Sequence, residues 1–526
     1  MNGGEKMKKR FNITGSCFPA QHYMVDISER LAEIKKMVDN GDYFIINRGR
    51  QYGKTTTLAA LNNYLSEEYY VVSMDFQRQM SAAKFKDEYT FSIAFAKAFI
   101  SSFKRNACSI NALAAIDILR NSMNNEYDLV ELFTSLSEFC GSVEKPVVLL
   151  IDEVDQSSNN QIFLDFLSQI RGYYLDRFAS ATFKSVILAG VYDIRNLKLK
   201  IRDESYHQHN SPWNIAVEFN IDMNLTADGI AGMLTDYEND NHIGMDIDKI
   251  SQLMYDYTSG YPVLVSNICK LIDEEIHEWT NDGVIKAVSR IQTMNTPLFD
   301  SLINKLEDYP EMKKSLYQVL TNGDKISYNP DNEPTKLLMM FGFVKIVDNS
   351  VVIANRIFET RLYNDLLTSE EIKSTPISKA GLYDKSEFIK DNILNVEMIL
   401  TKFIEHFHEI YGDKPDKFIE EDGRKCFLIY LRPIINGIGN YYIEARTRDN
   451  RRMDVVIDYL GERYIIELKI WRGQKYNEDG EKQLSDYLDS YGLKTGFMLT
   501  FSFNVSKESG IKKIQYKDKT LIEAIV

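Results

Sequence analysis

Cysteine is scarce in this chain of 526 residues, and its five cysteines stand far apart in the sequence. None belongs to a CxxC pair and their number is odd, so the sequence indicates neither a disulfide framework nor a cysteine-ligated zinc site. Their positions are Cys17, Cys108, Cys140, Cys269 and Cys426. We therefore expect a protein of a reducing compartment such as the cytoplasm.

Long apolar runs are also missing. No stretch of about 18 apolar residues occurs, which argues against a membrane-spanning helix. The basic first residues, MNGGEKMKKR, are followed by no apolar core, so no signal peptide is expected. The sequence thus predicts a cytoplasmic protein that has no membrane partner.

The chain also lacks an excess of positive charge. The chain has 62 Lys and Arg against 76 Asp and Glu, a formal net charge of −14. This balance excludes a protein that coats nucleic acid over its whole surface, although a local basic site is compatible with it. Hydrophobic residues at 44% and charged residues at 26% are typical of globular proteins. Because a typical domain has ~150 residues, we expect several domains.

Residues 1–225 alternate short apolar runs with helical stretches. Such alternation predicts an α/β fold built on a parallel sheet, with helices between successive strands. The predicted buried strands are residues 43–47, 69–75, 147–152 and 185–190.

The sequence pattern changes after residue 225. Apolar residues at helical spacing over 226–300 predict a helical lid. Two helix-like segments followed by a hairpin over 301–367 predict a winged helix, with the turn at Asp348-Asn349. The polar stretch 368–386 is typical of a linker, and 387–526 is predicted to form a separate α/β domain.

The segment YFIINRGRQYGKTTTLAALNNYL places an apolar strand before a short loop and a helix. In such a motif loop amides hold phosphates, while Lys54 neutralises the β and γ phosphates and the Thr55 hydroxyl ligates Mg²⁺. The loop departs from GxxxxGK[ST], because Arg48 stands where the first glycine is usual and Gly49 follows it. The predicted ATP-binding residues are Gly49, Gly53, Lys54, Thr55, Thr56 and Asp152.

A second motif, PVVLLIDEVDQ, ends an apolar strand on Asp152-Glu153. Two acids at the end of a buried parallel strand are costly unless they have a role. We expect Asp152 to hold Mg²⁺ with Thr55, and Glu153 to act catalytically by orienting the attacking water. The alternative is that the two acids cap the helix that follows.

Three elements in order, Gly53-Lys54-Thr55, Asp152-Glu153 and Gly260-Tyr261-Pro262, resemble the AAA-like P-loop ATPases of the signalling and origin-recognition type. The resemblance covers about residues 10–365. It implies a P-loop NTPase parallel sheet with a helical lid and a winged helix. It also implies that ATP and Mg²⁺ are the cofactors.

Other features of the ATPase family are less marked. Tyr192, Asp193 and Arg195 stand where related ATPases carry a residue that senses the γ-phosphate. Residues 21–23 could line an adenine pocket or could pack at a helix start. No arginine finger is assignable, so a homo-oligomer and a protein partner both stay open.

The segment RRMDVVIDYLGERYIIELKIWRG predicts two strands joined by a turn at Gly461-Glu462. A two-residue loop would place Asp454 opposite Lys469, with Glu467 diagonal to Asp454 on the same face. Two carboxylates that hold Mg²⁺ or Mn²⁺, with a lysine that positions water, are what metal-dependent phosphodiester hydrolysis requires.

Asp454 and Glu467-Leu468-Lys469 resemble the PD-(D/E)xK nuclease superfamily, the restriction-endonuclease-like α/β fold, over about residues 385–526. The usual proline is replaced by Met453. The resemblance implies catalytic roles for these three residues and for the Q-x-x-x-Y element. That element comprises Gln483 and Tyr487.

Alternatives within this segment stay open. Asp458 shares the predicted face and is a rival metal ligand, and Glu421 and Glu444 are candidates for an additional acid. Charge pairing across a solvated hairpin would also explain the pattern. Between residues 440 and 475, however, eight Lys or Arg exceed six Asp or Glu, which suits a phosphate backbone.

The leading hypothesis is an ATPase coupled to a metal-dependent DNA nuclease, in which the nucleotide state controls access of DNA to the C-terminal site. The alternative is a nucleotide-dependent switch or scaffold whose C-terminal domain binds nucleic acid or protein without cutting. Residues 311–365 add no predicted DNA-binding surface, because seven Lys or Arg there balance seven Asp or Glu.

Overall fold

The computed structural model divides the chain into two compact units. The amino-terminal unit comprises Met1–Tyr255, Ser259–Val284 and Met340–Gly342, and the carboxyl-terminal unit comprises Asp256–Thr258, Ile285–Met339 and Phe343–Val526. The structure describes residues 8–106, 109–157, 160–191, 213–321, 326–368, 375–383, 387–390, 393–412, 420–435, 439–445, 453–459, 462–470, 480–482, 484–486, 488–489, 492–502 and 508–526.

The amino-terminal unit is built on a parallel sheet whose strand order is β1-β4-β3-β2. Its side chains are almost all buried, which is why the strands read as continuous apolar runs. The strands are β1 (Phe44–Asn47), β2 (Tyr70–Asp75), β3 (Val147–Asp152) and β4 (Ser185–Gly190). The predicted α/β class and the four predicted strands are confirmed.

Helices cover both faces of this sheet. On α4, phenylalanines recur every fourth residue from Phe91 to Phe103, so one face of the helix is aromatic and packs into the core. Asp128 and Asn160 cap the helices that follow them by accepting backbone N–H groups. The helices are α1 (Ser28–Asn40), α2 (Lys54–Leu65), α3 (Phe76–Gln79), α4 (Glu88–Asn106), α5 (Ile110–Ser122), α6 (Leu129–Ser142) and α7 (Gln161–Leu175).

A helical segment follows the sheet, as its apolar spacing predicted. Thr226 and Asp246 cap two of its helices, and Pro262 begins the third at the first helical position. Its helices are α8 (Ala227–Asn241), α9 (Ile247–Thr258), α10 (Pro262–Leu271) and α11 (Asn281–Thr293).

The carboxyl-terminal unit begins with the helices and hairpin that were predicted as a winged helix. Asp348 and Asn349 have φ angles of 48° and 59°, the left-handed pair that a tight two-residue hairpin turn requires. The strands form a sheet of order β5-β7-β6. The elements are α12 (Pro297–Asp308), α13 (Pro310–Thr321), β5 (Ile326–Ser327), α14 (Glu333–Met340), β6 (Val344–Val347), β7 (Ser350–Ile353) and α15 (Arg356–Thr368).

The rest of this unit is a mixed sheet of order β10-β11-β12-β13-β15-β14 with helices packed against it. The helices are α16 (Pro376–Tyr383), α17 (Val396–Tyr411) and α18 (Glu420–Ile435). The strands are β8 (Ile389–Lys390), β9 (Ile393–Leu394), β10 (Gly439–Ala445), β11 (Met453–Tyr459), β12 (Glu462–Ile470), β13 (Thr495–Phe501), β14 (Gly510–Tyr516) and β15 (Lys519–Ile525). None of the described helices is long and apolar enough to cross a membrane.

The polar stretch predicted as a linker is helical in its described central part. Helix α16 packs closely on α18, and a Cβ atom at Gly381 would lie 2.1 Å from the Tyr430 carbonyl oxygen. Ile377 is buried on this face. The polar composition predicted a linker without regular structure, but one apolar face is enough to dock a short helix. The domain boundaries that were predicted around this stretch stay a prediction.

The turn at Gly260 gives a test of the fold. Gly260 has φ of 74°, and an added Cβ atom would lie 1.9 Å from the Leu225 carbonyl oxygen. Gly244 has a similar φ of 78° but no neighbour within 4 Å. We expect Gly260→Ala to destabilise the protein by about 1–3 kcal/mol more than Gly244→Ala, measured by thermal unfolding. Equal losses in the two variants would contradict this close approach.

Candidate functional site

The predicted phosphate loop connects β1 to α2, and Lys54 is the first residue of that helix. Its ammonium group is buried and donates hydrogen bonds to the carbonyl oxygens of Arg48 and Gly49, at 2.7 and 2.9 Å. Gly53 caps the helix with φ of 80°. The loop therefore wraps around the Lys54 side chain, as a phosphate-binding loop does.

The unusual Arg48 has a structural role of its own. Its guanidinium group donates to the carbonyl oxygens of Phe219 and Ile221, at 3.3 and 3.2 Å, and lies over the Phe219 ring. Gly49 occupies a crowded position, since a Cβ atom there would lie 2.8 Å from the Phe341 carbonyl oxygen. The loop thus needs its glycine one residue later than the usual spacing.

The two predicted acids lie where β3 ends, next to the start of α2. The Thr55 hydroxyl donates to the Asp152 carboxylate at 2.9 Å, and the Glu153 backbone N–H donates to its other oxygen at 2.9 Å. Glu153 has φ of 56°, a left-handed conformation that costs free energy in a non-glycine residue. A short 3-10 helix, Val154–Ser157, follows the acids directly, and Asn160 caps α7 after it.

Burial controls the protonation of this group of side chains. It raises the pKa of Asp152, although the hydrogen bonds from Thr55 and the Glu153 N–H oppose the change. Burial, and then the charge of Asp152, raises the pKa of Glu153. Burial lowers the pKa of Lys54, opposed first by the charge of Asp155. Lys54 thus lies among several carboxylates, and Arg50 adds a second positive charge that acts on Lys54 and Glu153.

Asp155 belongs to the site and was missed from the sequence. Its carboxylate accepts the Val191 backbone N–H at 2.6 Å, so it fastens the end of β4. It is also the first of the acids that favour the charged form of Lys54. The sequence Asp152-Glu153-Val154-Asp155 shows a third acid next to the predicted pair, but the prediction gave a role only to Asp152 and Glu153.

Tyr261 touches the phosphate loop from the helical segment. Its hydroxyl donates to the Arg50 carbonyl oxygen at 2.7 Å, and its ring lies 4.3 Å from the ring of Tyr52, measured between centroids. Gly342 lies against both rings, since an added Cβ atom there would be 3.2 Å from the Tyr52 ring and 3.8 Å from the Tyr261 ring. No spacing in the sequence could predict these contacts, which join residues roughly 200 and 300 positions apart.

The segment before α1 also reaches the loop. The Cys17 backbone N–H donates to the Thr56 hydroxyl at 3.1 Å. His22 is buried and accepts the Phe18 N–H, while the Tyr23 hydroxyl donates to Asp240 on α8 at 3.0 Å. Tyr23 therefore packs against the helical segment. The residues predicted as a γ-phosphate sensor, Tyr192, Asp193 and Arg195, lie outside the described residues.

The register of the second predicted site differs from the prediction. Asp454 pairs with Glu467 and Asp458 pairs with Arg463, whereas the predicted loop at Gly461-Glu462 would have paired Asp454 with Lys469. The prediction was wrong because it placed the turn one position too late, which shifts every strand pair by two residues; Glu462 already belongs to β12 and pairs with Tyr459. The correction brings the Asp454 position directly beside Glu467. The side chains of Asp454 and Asp458 lie outside the described part.

Asp458 becomes a poorer candidate in this register. It stands four residues from Asp454 along β11, which corresponds to ~13 Å in an extended strand. Glu444 pairs with Asp454 on the other side, so the backbone aligns Glu444, Asp454 and Glu467 across three neighbouring strands. Glu421 lies in α18, and nothing is described of its side chain.

Glu467 and Lys469 are deeply buried, each with 1% of its surface exposed. Both face the start of the helical residues that follow Gly480. A Cβ atom at Gly480 would lie 2.6 Å from the Lys469 ammonium nitrogen and 3.4 Å from a Glu467 oxygen. A cross-strand pair on a solvated hairpin would be exposed, so that alternative reading of these two residues is wrong.

The helical residues of 480–489 cover this face of the sheet. Leu484 and Leu488 pack with Val456, Ile465 and Met498. The buried Lys519 fastens them by donating to the Ser485 hydroxyl at 3.2 Å and by an ion pair with Asp489 at 2.7 Å. Gln483 and Tyr487 lie outside the described residues. The predicted helix beside the hairpin is confirmed around them.

One known protein family matches this chain. A family model described as AAA-like domain matches residues 21–364, more than half of the chain. A comparison with curated protein sequences gives no match.

Solved structures give likenesses of low identity. A Walker-type ATPase of Pyrococcus abyssi has 13% identity and a TM-score of 0.47, over 67% of this chain and 99% of that one. The ORC2 protein of Aeropyrum pernix, in ADPNP and ADP complexes, has 13% identity and a TM-score of 0.38, over 68% and 97%. The ORC1 protein of Aeropyrum pernix, in complex with DNA, has 14% identity and a TM-score of 0.29, over 65% and 93%.

The raised pKa of Asp152 gives a stability test. When a folded-state pKa lies above the unfolded value, an acid loses stabilisation as the pH rises through the folded pKa. At pH 7.5 we therefore expect Asp152→Asn to raise the Tm of the nucleotide-free protein by about 2–4 °C. The exposed Asp117 provides the control, and Asp117→Asn should leave Tm unchanged. A lower Tm in Asp152→Asn would mean that the hydrogen bonds to its carboxylate outweigh the cost of its burial.

Proposed function

The chain belongs to the AAA-like domain family, and on this premise we propose that it binds and hydrolyses ATP at the end of the parallel sheet. The observation that carries the proposal is the buried Lys54 ammonium group inside the loop, beside the hydrogen-bonded pair Thr55 and Asp152. In this arrangement Lys54 exchanges its loop carbonyls for the β and γ phosphates. The α2 amino terminus and the loop amides take the remaining phosphate oxygens.

Thr55 and Asp152 fit Mg²⁺, which prefers oxygen ligands and keeps several waters. Their oxygens are already within 2.9 Å of each other, at a place that charged Lys54 also borders. When bound, Mg²⁺ would neutralise negative charge on the transferred phosphoryl group. Glu153 is half-buried and its pKa is raised, so its carboxylate is suited to orient the attacking water and take up its proton.

Two variants separate binding from hydrolysis. Lys54→Ala should abolish binding of a fluorescent ATP analogue, because the charge beside the phosphates is lost. Glu153→Gln should keep binding but lower ATP turnover about 100-fold or more, since the group that orients water is lost.

Lys97→Ala, which changes an exposed lysine on α4, should behave as the unchanged protein in both assays. Normal turnover in Glu153→Gln would remove Glu153 from its proposed role, and normal binding in Lys54→Ala would remove the nucleotide site itself.

A second activity is supported by the carboxyl-terminal unit, and we propose that it is a metal-dependent DNA nuclease of the PD-(D/E)xK type. The supporting observation is the burial of Glu467 and Lys469 side by side, with Asp454 paired to Glu467 in the backbone register. A buried carboxylate and ammonium are costly to desolvate, and such groups cluster at functional sites. Gln483 and Tyr487 are proposed to support this site.

The donor chemistry fits Mg²⁺ or Mn²⁺ at this second site. No cluster of three or more His, Cys, Asp or Glu occurs among the residues whose side chains are described, which do not include Asp454. Mg²⁺ in enzymes uses one or two carboxylates, with water and substrate phosphate as its other ligands. Asp454 and Glu467 would hold the metal, which would lower the pKa of a bound water. Lys469 would steady the developing negative charge on the phosphate.

Isosteric variants test the nuclease without creating cavities. Glu467→Gln and Lys469→Met keep the side-chain volume, so we expect a folded protein that has lost cleavage of DNA in Mn²⁺. Calorimetry should show weaker Mn²⁺ binding for Glu467→Gln and unchanged binding for Lys469→Met, because the lysine acts on the substrate.

Asp454→Asn should match Glu467→Gln, while Asp458→Asn should cleave normally, since its register position is remote. Cleavage lost in Asp458→Asn and kept in Asp454→Asn would reverse the assignment. If all four variants cleave normally, or the unchanged protein does not cleave, the alternative of a switch or scaffold that binds without cutting is favoured.

The remaining assignments complete the proposal. The domains are a P-loop core over 1–225, a helical lid over 226–300, a winged helix over 301–367 and a nuclease-like domain over 387–526. The partners are ATP and DNA, with a second copy of the chain or another protein as a further partner, and the location is the cytoplasm.

A further inference from the structure

The carboxyl-terminal unit contains a cleft that no motif predicted. It has a volume of ≈ 510 Å³ and lies between the α12–α13 corner and α18. Lys313, Lys314 and Gln318 line it from α13, and Lys425 lines it from α18. Three lysines thus meet at one place although they come from segments more than 100 residues apart.

Two of these lysines have no ion-pair partner among the described side chains. Lys314 and Lys425 form no ion pair with the residues described there, and Lys314 is exposed. Lys313 differs, because its ammonium group lies 3.7 Å from Asp365 and 5.6 Å from the centre of the Tyr317 ring. The Tyr317 hydroxyl also donates to Asp365 at 2.9 Å, so that carboxylate is shared between two partners.

The charge around the cleft favours an anionic ligand. Among the described side chains, the acids on these elements include Glu307, which lines the cleft, Glu311, three residues before Lys314, and Asp365, which Lys313 and Tyr317 engage. Among the residues that line the cleft, three lysines outnumber one acid, on a chain whose net charge is −14. Such a local positive surface is what a polyanion would require, since the field of the whole protein repels it.

We propose that this cleft binds the phosphate backbone of a DNA strand. The proposal rests on the nuclease function above and adds a path for its substrate. Lysine ammonium groups are point charges that contact phosphates without reading sequence. The cleft offers them from two helices in an open groove, which suits a strand that passes through it. It involves neither the β6–β7 hairpin nor α14, where a winged helix would be expected to meet DNA.

The test is fluorescence anisotropy of labelled 20-nucleotide single- and double-stranded DNA with the full chain, in EDTA so that no metal-dependent cleavage occurs. The variant is Lys314→Ala with Lys425→Ala, two lysines that form no ion pair with the described side chains. We expect about tenfold weaker binding at 100 mM salt. The slope of log affinity against log salt should fall by about 0.7 to 0.9 for each lost phosphate contact.

The control is Lys84→Ala with Lys97→Ala, which removes the same charge from exposed positions of the amino-terminal unit. It should leave both affinity and salt slope unchanged. Equal effects of the two double variants would overturn the proposal, because only net charge would then matter. An unchanged affinity in Lys314→Ala with Lys425→Ala would overturn it as well.

Two further results separate the sources of the phosphate and the two proposals. If AMP or inorganic phosphate binds at the cleft lysines while DNA affinity does not depend on them, the cleft is a small-phosphate site and the proposal falls. If the unchanged protein binds DNA through these lysines but cleaves none in Mn²⁺, the cleft stands and the nuclease fails. If cleavage occurs and the double variant binds DNA and cleaves it normally, the nuclease stands and the cleft fails.

Discussion

Burial of the Lys54 ammonium group is the constraint on which the amino-terminal unit depends. A buried cation must be surrounded by oxygens, and here the carbonyls of Arg48 and Gly49 and the nearby carboxylates of Asp152, Glu153 and Asp155 supply them. Parallel strands end at the same edge of a sheet, so the ends of β1, β3 and β4 bring these groups together. The order of the strands therefore decides the chemistry of the site.

Segments remote in sequence hold this loop from outside. Tyr261 bonds the Arg50 carbonyl, Phe341 and Gly342 crowd the loop at Gly49 and Tyr52, and Cys17 bonds Thr56. Each contact joins the loop to a different part of the amino-terminal unit. In the proposed nucleotide complex, phosphates would replace the carbonyl partners of Lys54. A resulting movement of the loop would alter its contacts with the helical segment and with the segment before α1.

The second candidate site, on the mixed sheet, also contains a buried lysine next to a carboxylate. Glu467 and Lys469 are buried on one face of β12, and the helical residues after Gly480 exclude water from them. Lys519 holds that cover in place through Ser485 and Asp489. A carboxylate and an ammonium group kept together in a dry place interact more strongly than they would in water, which suits catalysis but does not by itself add stability.

The sequence by itself determined those features that depend on local pattern. Continuous apolar runs gave the four parallel strands, helical spacing gave the segment after residue 225, and Asp348-Asn349 gave the hairpin, because each of these signals acts within a few residues. Gly53-Lys54-Thr55 and Asp152-Glu153 predicted the candidate nucleotide site for the same reason. Polarity failed at 376–383, where one apolar face docks a helix on α18.

Only the tertiary structure decided the rest. The β11–β12 register moved by two positions because the turn begins earlier than the glycine suggested, and this placed Asp454 beside Glu467. Asp155, Tyr261 and the lysines around α13 and α18 joined their sites through contacts between distant segments. Packing energies sum over the whole fold, so no local pattern carries the information that brings such residues together.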